Sequence, residues 1–424
     1  MAYTRTQLSQ LLSERIGDRT SGTATGGAAG GATLTTTDLL RQPGARYAGQ
    51  FCEITSGTYS GNVRLINTAV VSSGVLTITP YNAFGGAIVN AVTFLVHRFD
   101  PAWKEQAINE ALRELAGLLP VPVAEEIISG ECLRNGCMEF WRDSSTPYDW
   151  SVVTGTATKD TTTVYTGKAS LLTSASIATH IRQPVYLARE LYNVTINFTA
   201  YAYMGTVNGS TQIRLTQGNT STTSTALAAS GAWTQLSTTL KVTDTMDPIY
   251  VSLLHTSVTQ AAYWDEVRLL VPSTAKSSIN WVPLSEYYIQ LRQLQMGYQQ
   301  GVTTKSVVAG FVNHAMPTRY ERGYGWWNWN TTRVNVPYWF RLLGTGRYPN
   351  LTAATDEVDV NQEEARLLVA LAGIRLMEKA KGYQHLANTK YLDDKKGELA
   401  KEVEVVLHTL HREVPTLSLP VPMR

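Results

Sequence analysis

The sequence predicts an α+β multidomain chain, a helical core interrupted by a small β insert and by a longer all-β insert. Three observations predict it. Apolar residues recur at helical spacing near both ends, as Leu8, Leu11, Leu12 and Ile16 and again as Ala365, Leu368, Val369, Ala372, Ile374, Leu376 and Met377. Between them, residues 131–271 are rich in Thr, Ser and Gly with short strand-like runs. Only 17% of residues are charged, against about 25% in ordinary globular domains, a bias typical of β-rich surface proteins. With 424 residues, of which 43% are hydrophobic, the chain has room for two to four domains with cores of their own.

The first helix ends at Gly17-Asp18. Residues 20–31 form a Gly/Ala/Thr linker, and 50–57, 62–66, 75–81 and 92–96 read as strands, so residues 23–98 make the small β insert. Asp100-Pro101 opens a second helix, with Asp to cap its free N–H groups and Pro in the turn that needs none. Its apolar stripe is Trp103, Ala107, Ile108, Ala111, Leu112, Leu115 and Leu118-Leu119; Lys104, Glu105, Asn109, Glu110, Arg113 and Glu114 are expected on a solvated face. Pro120 and Pro122 end it. The long β insert then occupies 132–273. Beyond it, 286–294 is strand-like, and Trp326, Trp327 and Trp329 form an aromatic cluster suited to an interface with a neighbouring subunit or partner, a ligand platform being the other reading. A long helix capped near Asp359 and a last helix over about 389–411 follow. The helical core is thus expected over 1–22, 99–131 and 274–424. Residues 414–424 hold three prolines and alternating apolar residues, which predict an extended docking arm bearing Pro415, Leu417, Leu419, Val421 and Met423.

Composition narrows the function. A formal net charge of +2 gives no case for tight nucleic-acid binding. Cys52, Cys132 and Cys137 have neither metal-site nor disulfide-framework spacing, so reduced and mostly buried thiols are expected. The N-terminus lacks the apolar stretch of a signal peptide, and no apolar run approaches the ~18 residues of a membrane span. A soluble protein made in a cytoplasm, with no membrane partner, is the expectation. His408 and His411 share a helix face but have no third ligand nearby. The run Gly26-Gly27-Ala28-Ala29-Gly30-Gly31 lacks the Lys-Ser/Thr end of a phosphate loop. Acids in the long insert are too sparse for paired-carboxylate hydrolysis of glycosides. The chain reads as a non-enzyme.

Three pieces of the long insert carry a resemblance. They are Asn135-Gly136-Cys137-Met138-Glu139-Phe140-Trp141, Tyr165-Thr166-Gly167-Lys168-Ala169-Ser170-Leu171 and Ala262-Tyr263-Trp264-Asp265-Glu266-Val267-Arg268-Leu269. In this order and at these separations they resemble the jelly-roll carbohydrate-binding modules of the galactose-binding-like β-sandwiches. The resemblance implies a β-sandwich that binds glycans through exposed rings, because a sugar's C–H face stacks on an aromatic. Tyr148, Trp150 and Trp233 are the candidates, with Tyr201 and Tyr203 also available; an architectural decoration with such rings in its core is the alternative. It further implies a structural calcium on Glu139 and Asp265, the two positions matching the family's ligands, against the plainer reading of hydrogen-bonded acids near the sheet edge. No other cofactor is required.

The order of a short helix, a β insert, a helix with Ile108-Asn109-Glu110-Ala111-Leu112-Arg113-Glu114-Leu115 and late small-residue helices resembles the head–tail connector, or adaptor, proteins of tailed bacteriophages. This second resemblance implies a virion neck protein made in the bacterial cytoplasm. Twelve copies would ring the DNA channel between portal and tail, touching portal, tail or neck proteins and the passing double-stranded DNA without sequence-specific binding, the arm docking on the portal. The rival reading is a carbohydrate-binding virion or tail decoration protein that adheres to the host surface.

Overall fold

The computed structural model describes residues 2–40, 43–128, 130–175, 177–206, 211–243, 247–256, 259–272, 281–298, 311–314, 316–326, 338–382 and 389–413. Among them 25 strands stand against four α-helices. This corrects the expected fold class: the protein is mostly β, and a helical adaptor core with inserts is not what the chain builds. The helices read from periodicity are present, but the segments assigned to the core between them are sheet. Val121–Ile128 alternates buried and exposed positions, as a half-covered strand does. It pairs with Tyr338–Gly346, which pairs in turn with Tyr288–Tyr298 and that with Phe311–His314, all antiparallel.

The chain divides into two compact units, 1–117 with 351–424, and 118–350. In the first, helix α1 (Arg5–Ile16) is held by a capping box of Thr4 and Gln7 and stops at Gly17 in the left-handed conformation. Leu8, Leu12 and Ile16 are buried, whereas Leu11 faces outward. Residues 19–97 close a six-stranded barrel around Leu34, Ile54, Ile66, Leu76, Ile78 and Phe94. Helix α2 (Pro101–Leu118) buries Ala107, Ile108, Ala111, Leu112 and Leu115. Helix α3 (Gln362–Lys381) has its capping box at Asn361 and Glu364, two residues later than expected. Helix α4 (Thr389–Glu413) lies along it. Gly373 makes this approach possible, since a Cβ there would come within 2.7 Å of the Leu399 side chain. No described helix is long and apolar enough to cross a membrane.

Lys104, expected on a solvated face, is only 1% exposed. Its ammonium donates to Ser13 Oγ (3.0 Å), Asp18 Oδ2 (2.8 Å) and His97 Nδ1 (2.9 Å), which uses all three of its N–H groups. His97 Nε2 lies 2.8 Å from Glu53 Oε2, and Asp18 Oδ1 accepts from Phe99 N at 2.9 Å. One buried network therefore ties the end of α1, the barrel and α2. Burial would raise the Asp18 pKa, but the His97 hydrogen bond and the Lys104 charge outweigh it and hold the carboxyl below its usual range.

In the second unit, residues 151–270 form two antiparallel five-stranded sheets. One runs Ala157–Asp160, Ser170–Thr173, Ala262–Leu270, Thr195–Tyr203, Thr234–Lys241 in order across the sheet. The other runs Thr220–Thr223, Thr211–Gln217, Ile249–His255, Thr179–Val185, Ser151–Thr154. Their inner faces enclose Leu171, Ile181, Phe198, Ile213, Leu253 and Trp264, and this core continues into Trp281 and Tyr324 from beyond the insert. The chain is a jelly-roll-like β-sandwich here. Cys52 and Cys132 are buried free thiols, and Cys137 is a partly buried one.

Removing one member of a buried, saturated ion pair leaves the other stranded in a low-dielectric site. Lys104→Met should therefore cost the first unit ~3 kcal/mol or more in urea unfolding, and adding Asp18→Asn should restore part of it. Additive losses in that double variant would show that the pair is not coupled.

Two buried acids of the second unit, Glu125 and Glu131, titrate in the opposite sense. Burial, then the charge of Asp149, pushes Glu125 up to about 8; burial pushes Glu131 up to about 7 against the backbone N–H groups it accepts. Because these folded-state values exceed the ~4.3 of a free glutamate, the native state binds the extra protons. Their stabilising contribution is complete at acid pH and is lost as pH rises through 7 to 8. The melting temperature of residues 118–350 should fall between pH 5 and pH 9, and Glu125→Gln should flatten that fall. An equal slope in the variant would reject the assignment.

Candidate functional site

The strand Thr195–Tyr203 lies second from the edge of its sheet and alternates strictly near its end. Ala200 and Ala202 point into the core, so Tyr201 and Tyr203 point out. Small inward residues leave room for Trp264 beneath, while the outer face carries the large rings. Tyr203 pairs with Tyr263 on the neighbouring strand, their ring centroids 5.8 Å apart. On the other side Ala202 pairs with Thr234, which sets Trp233 5.7 Å from Tyr203. Tyr165 completes the array, stacked on Tyr201 at 4.0 Å and 5.7 Å from Trp233. Five rings thus form one outward face of the sandwich, and Tyr165 is 40% exposed.

Tyr165 sits on a loop, and two carboxylates hold that loop in place. Asp265 Oδ2 accepts from Tyr165 N and Thr166 N, each at 2.9 Å, and its Oδ1 accepts from Glu266 N at 2.7 Å. Glu139 Oε1 accepts from Lys168 N at 2.8 Å and Ala169 N at 3.3 Å. Gly167, at φ 76°, is needed for this wrap: a Cβ there would lie 1.9 Å from Glu139 Oε1. A bulge opposite Ala200, with Glu266 in the left-handed region at φ 46°, turns Asp265 toward the loop. Burial pushes Asp265 up to about 6 and raises Glu139 as well, each against the N–H groups it accepts.

The sequence candidates land in different places. Trp233 is on the aromatic face with Tyr201 and Tyr203. Trp150 is 4% exposed and donates Nε1–H to Asn135 O at 3.2 Å. Tyr148 is buried against Phe140 and Tyr287, so neither ring lies on that face. Glu139 and Asp265 meet at one loop, and their described contacts are with main-chain N–H groups; among the described residues no three His, Cys, Asp or Glu cluster as a metal site. Trp326 is half-buried against Trp281 and Tyr324 of its own unit. Trp327 and Trp329, and Pro415, Leu417, Leu419, Val421 and Met423 of the arm, lie outside the described residues. Sequence reasoning left out Tyr165 and Tyr263. Both stand inside the quoted motifs, but only strand register and the loop clamp bring them beside Trp233.

No family model matches this chain, and no curated protein does. Several solved structures are similar to part of it. The enzymatically active domain of a tailspike protein from bacteriophage CBA120 is 14% identical over 34% of this chain and 22% of that one, with a TM-score of 0.28. A C-terminal family 22 carbohydrate-binding module of Clostridium thermocellum is 17% identical over 29% of this chain and 86% of that one, at 0.24. A xylan-binding domain from Paenibacillus barcinonensis is 15% identical over 33% and 94%, at 0.25. This chain therefore covers well under two thirds of the tailspike domain's length. The sandwich itself rests on the strand order and packing given above.

Proposed function

We propose that this chain is a non-enzymatic glycan-binding protein, a virion or tail component that adheres to the host surface through its β-sandwich. The observation that carries the reading is the outward face of Tyr165, Tyr201, Tyr203, Trp233 and Tyr263. Half-buried rings with polar edges suit a surface whose partner is apolar on its ring faces and hydroxylated around its rim, as a pyranose is. Clamping the Tyr165 loop by buried Asp265 and half-buried Glu139 fixes the rings before the ligand arrives, which lowers the ordering cost of binding. The adaptor reading, with its ring, portal contact and DNA channel, leaned on a helical core and on the arm at 415–423. Sheet replaces the first, and the second lies outside the described residues.

Calcium at Glu139 and Asp265 is a subordinate proposal, favoured by both acids ending on the same loop. Calcium should then raise the melting temperature of the intact chain and chelator should lower it. An unchanged curve would leave the two acids as loop clamps alone.

Glycan binding itself is tested on an array of bacterial surface polysaccharides and by affinity electrophoresis against each hit. Trp233→Ala and Tyr203→Ala should each weaken retention about tenfold, ~1.4 kcal/mol, without moving the melting temperature, since both rings stand on the outer face. Absence of any retained glycan, or retention indifferent to both substitutions, would overturn the reading.

A further inference from the structure

A cleft of about 760 Å³ opens at one end of the second sheet of the sandwich, where Ser151, Pro184 and Pro248 stand at strand ends facing the turn Arg322-Gly323. It belongs to the sheet opposite the aromatic face. Its size is that of a small-ligand site.

Hydrogen-bonding capacity in the cleft is lopsided. Arg134, Arg142 and Arg322 line it together with Asp149 and Glu286. The Asp149 carboxylate is taken: Oδ1 lies 3.2 Å from Arg134 Nη1 and accepts from Glu286 N at 3.2 Å, and Oδ2 accepts from the Ser285 hydroxyl. Glu286 accepts from Arg142 Nη2 at 2.6 Å. Each guanidinium brings five N–H donors. Arg134 is buried, and its Nε has no hydrogen-bond partner. Among the described residues Arg322 meets only the Tyr186 ring, at 5.8 Å, and Glu321, at 3.9 Å and beyond hydrogen-bond reach. Three guanidiniums face two carboxylates, one of them engaged at both oxygens, so donors are in surplus and a ligand that supplies acceptors complements the lining.

The backbone points to the same arginine. Arg322 and Gly323 are the two-residue turn between Arg319–Glu321 and Tyr324–Trp326, with φ 51° and 81°. Such a doubly left-handed turn favours Asn, Asp or Gly at its first position. Arginine there carries a local conformational cost, and costs of this kind concentrate at functional sites. Gly323 lets the turn lie on Arg134, because a Cβ would come within 2.4 Å of Nη1.

We propose that this cleft is a second binding site, which takes a carboxylate-bearing sugar. The planar carboxylate matches the fork of a guanidinium, and Arg322 with Arg142 at the open side receives it. The hydroxyls of Thr146 and Ser151, which also line the cleft, hydrogen-bond the sugar ring. Three guanidiniums against two carboxylates leave the lining one positive charge in excess, which a single carboxylate balances.

The test is calorimetric titration of the full chain with sodium glucuronate, glucose and inorganic phosphate. Glucuronate should bind saturably and glucose should not. Arg322→Asn removes the guanidinium while suiting the turn, so it should leave the melting temperature equal or higher and weaken glucuronate about tenfold or more; Arg142→Ala should weaken it likewise. These outcomes stand whether or not the aromatic face retains a polysaccharide. No glucuronate binding, or binding indifferent to Arg322→Asn, would overturn the site, and phosphate binding as tightly with the same sensitivity would overturn the sugar.

Discussion

Closure of the sandwich depends on one buried carboxylate. Glu131 Oε1 accepts from Cys132 N and Leu133 N, where the chain enters the sandwich, and from Leu269 N, where it leaves, each at 3.0 Å. Left unpaired, buried N–H groups cost ~1–3 kcal/mol each, so this side chain helps hold together the two ends of a segment of about 140 residues, with Cys132 N also donating to Leu269 O at 2.9 Å. The joint is reinforced by the main chain. Val271 N donates to Gly130 O at 3.0 Å and Val267 N to Gly136 O at 2.8 Å. Gly136 is required at the second contact, since a Cβ would sit 2.1 Å from Val267 O. Everything on the closing strand Ala262–Leu270 inherits its position from this joint, including Tyr263 on the aromatic face and Asp265 beneath the Tyr165 loop.

The joint also explains why the sandwich does not stand apart from the strands C-terminal to it. Tyr324, from the hairpin beyond the insert, is buried in the sandwich core and donates its hydroxyl to Cys132 O at 2.8 Å, beside Glu131. Phe140 stacks on Tyr287 at 4.5 Å, which seats the four-stranded sheet against the first turns of the insert. A hairpin locked this way presents the Arg322-Gly323 turn to the strand ends of the second sheet. The cleft is a consequence of that seating, and the aromatic face is a consequence of the sheet on the other side.

Local pattern was legible in the sequence where local physics dominates. The stripe of Leu8, Leu12 and Ile16, the Asp100-Pro101 start and the Thr/Ser/Gly-rich strands all appear in the structure because spacing and caps decide them. Assigning 121–128 and 281–346 to a helical core fails because the pairing that makes them sheet is mostly non-local: Val121–Ile128 finds Tyr338–Gly346 across the insert, and Tyr288–Tyr298 finds the other edge of that same strand farther along the chain than a sequence window reads. Lys104 was misplaced for a related reason. Helical spacing puts it on the edge of the polar face, and only the arrival of Asp18, Ser13 and His97 from other elements makes its burial tolerable. Tyr165 and Tyr263 escaped because their partner, Trp233, joins them through register and a loop clamp.

Backbone conformation supplies a further link between the two candidate sites. Outside glycine, the left-handed residues described in the second unit are Asn135, Met138, Asp149, Asn193, Glu266 and Arg322. Four of them lie at the sites or their supports: Glu266 makes the bulge that aims Asp265, Asp149 and Arg322 both line the cleft, and Asn135 braces the chain that leads to Asp149. Asn135 suits its conformation and is held by bonds from its Nδ2 to Phe140 O and Tyr148 O and from Phe140 N to its Oδ1. Glu266 and Arg322 suit theirs less well. Unfavourable backbone persists only where surrounding contacts over-determine it, and here those contacts are the Asp265 clamp and the Arg134 packing. Left-handed backbone therefore coincides with the clamp beneath the loop bearing Tyr165 and with the turn bearing Arg322, the two places from which the candidate sites take a side chain set by its support and not by strand alternation.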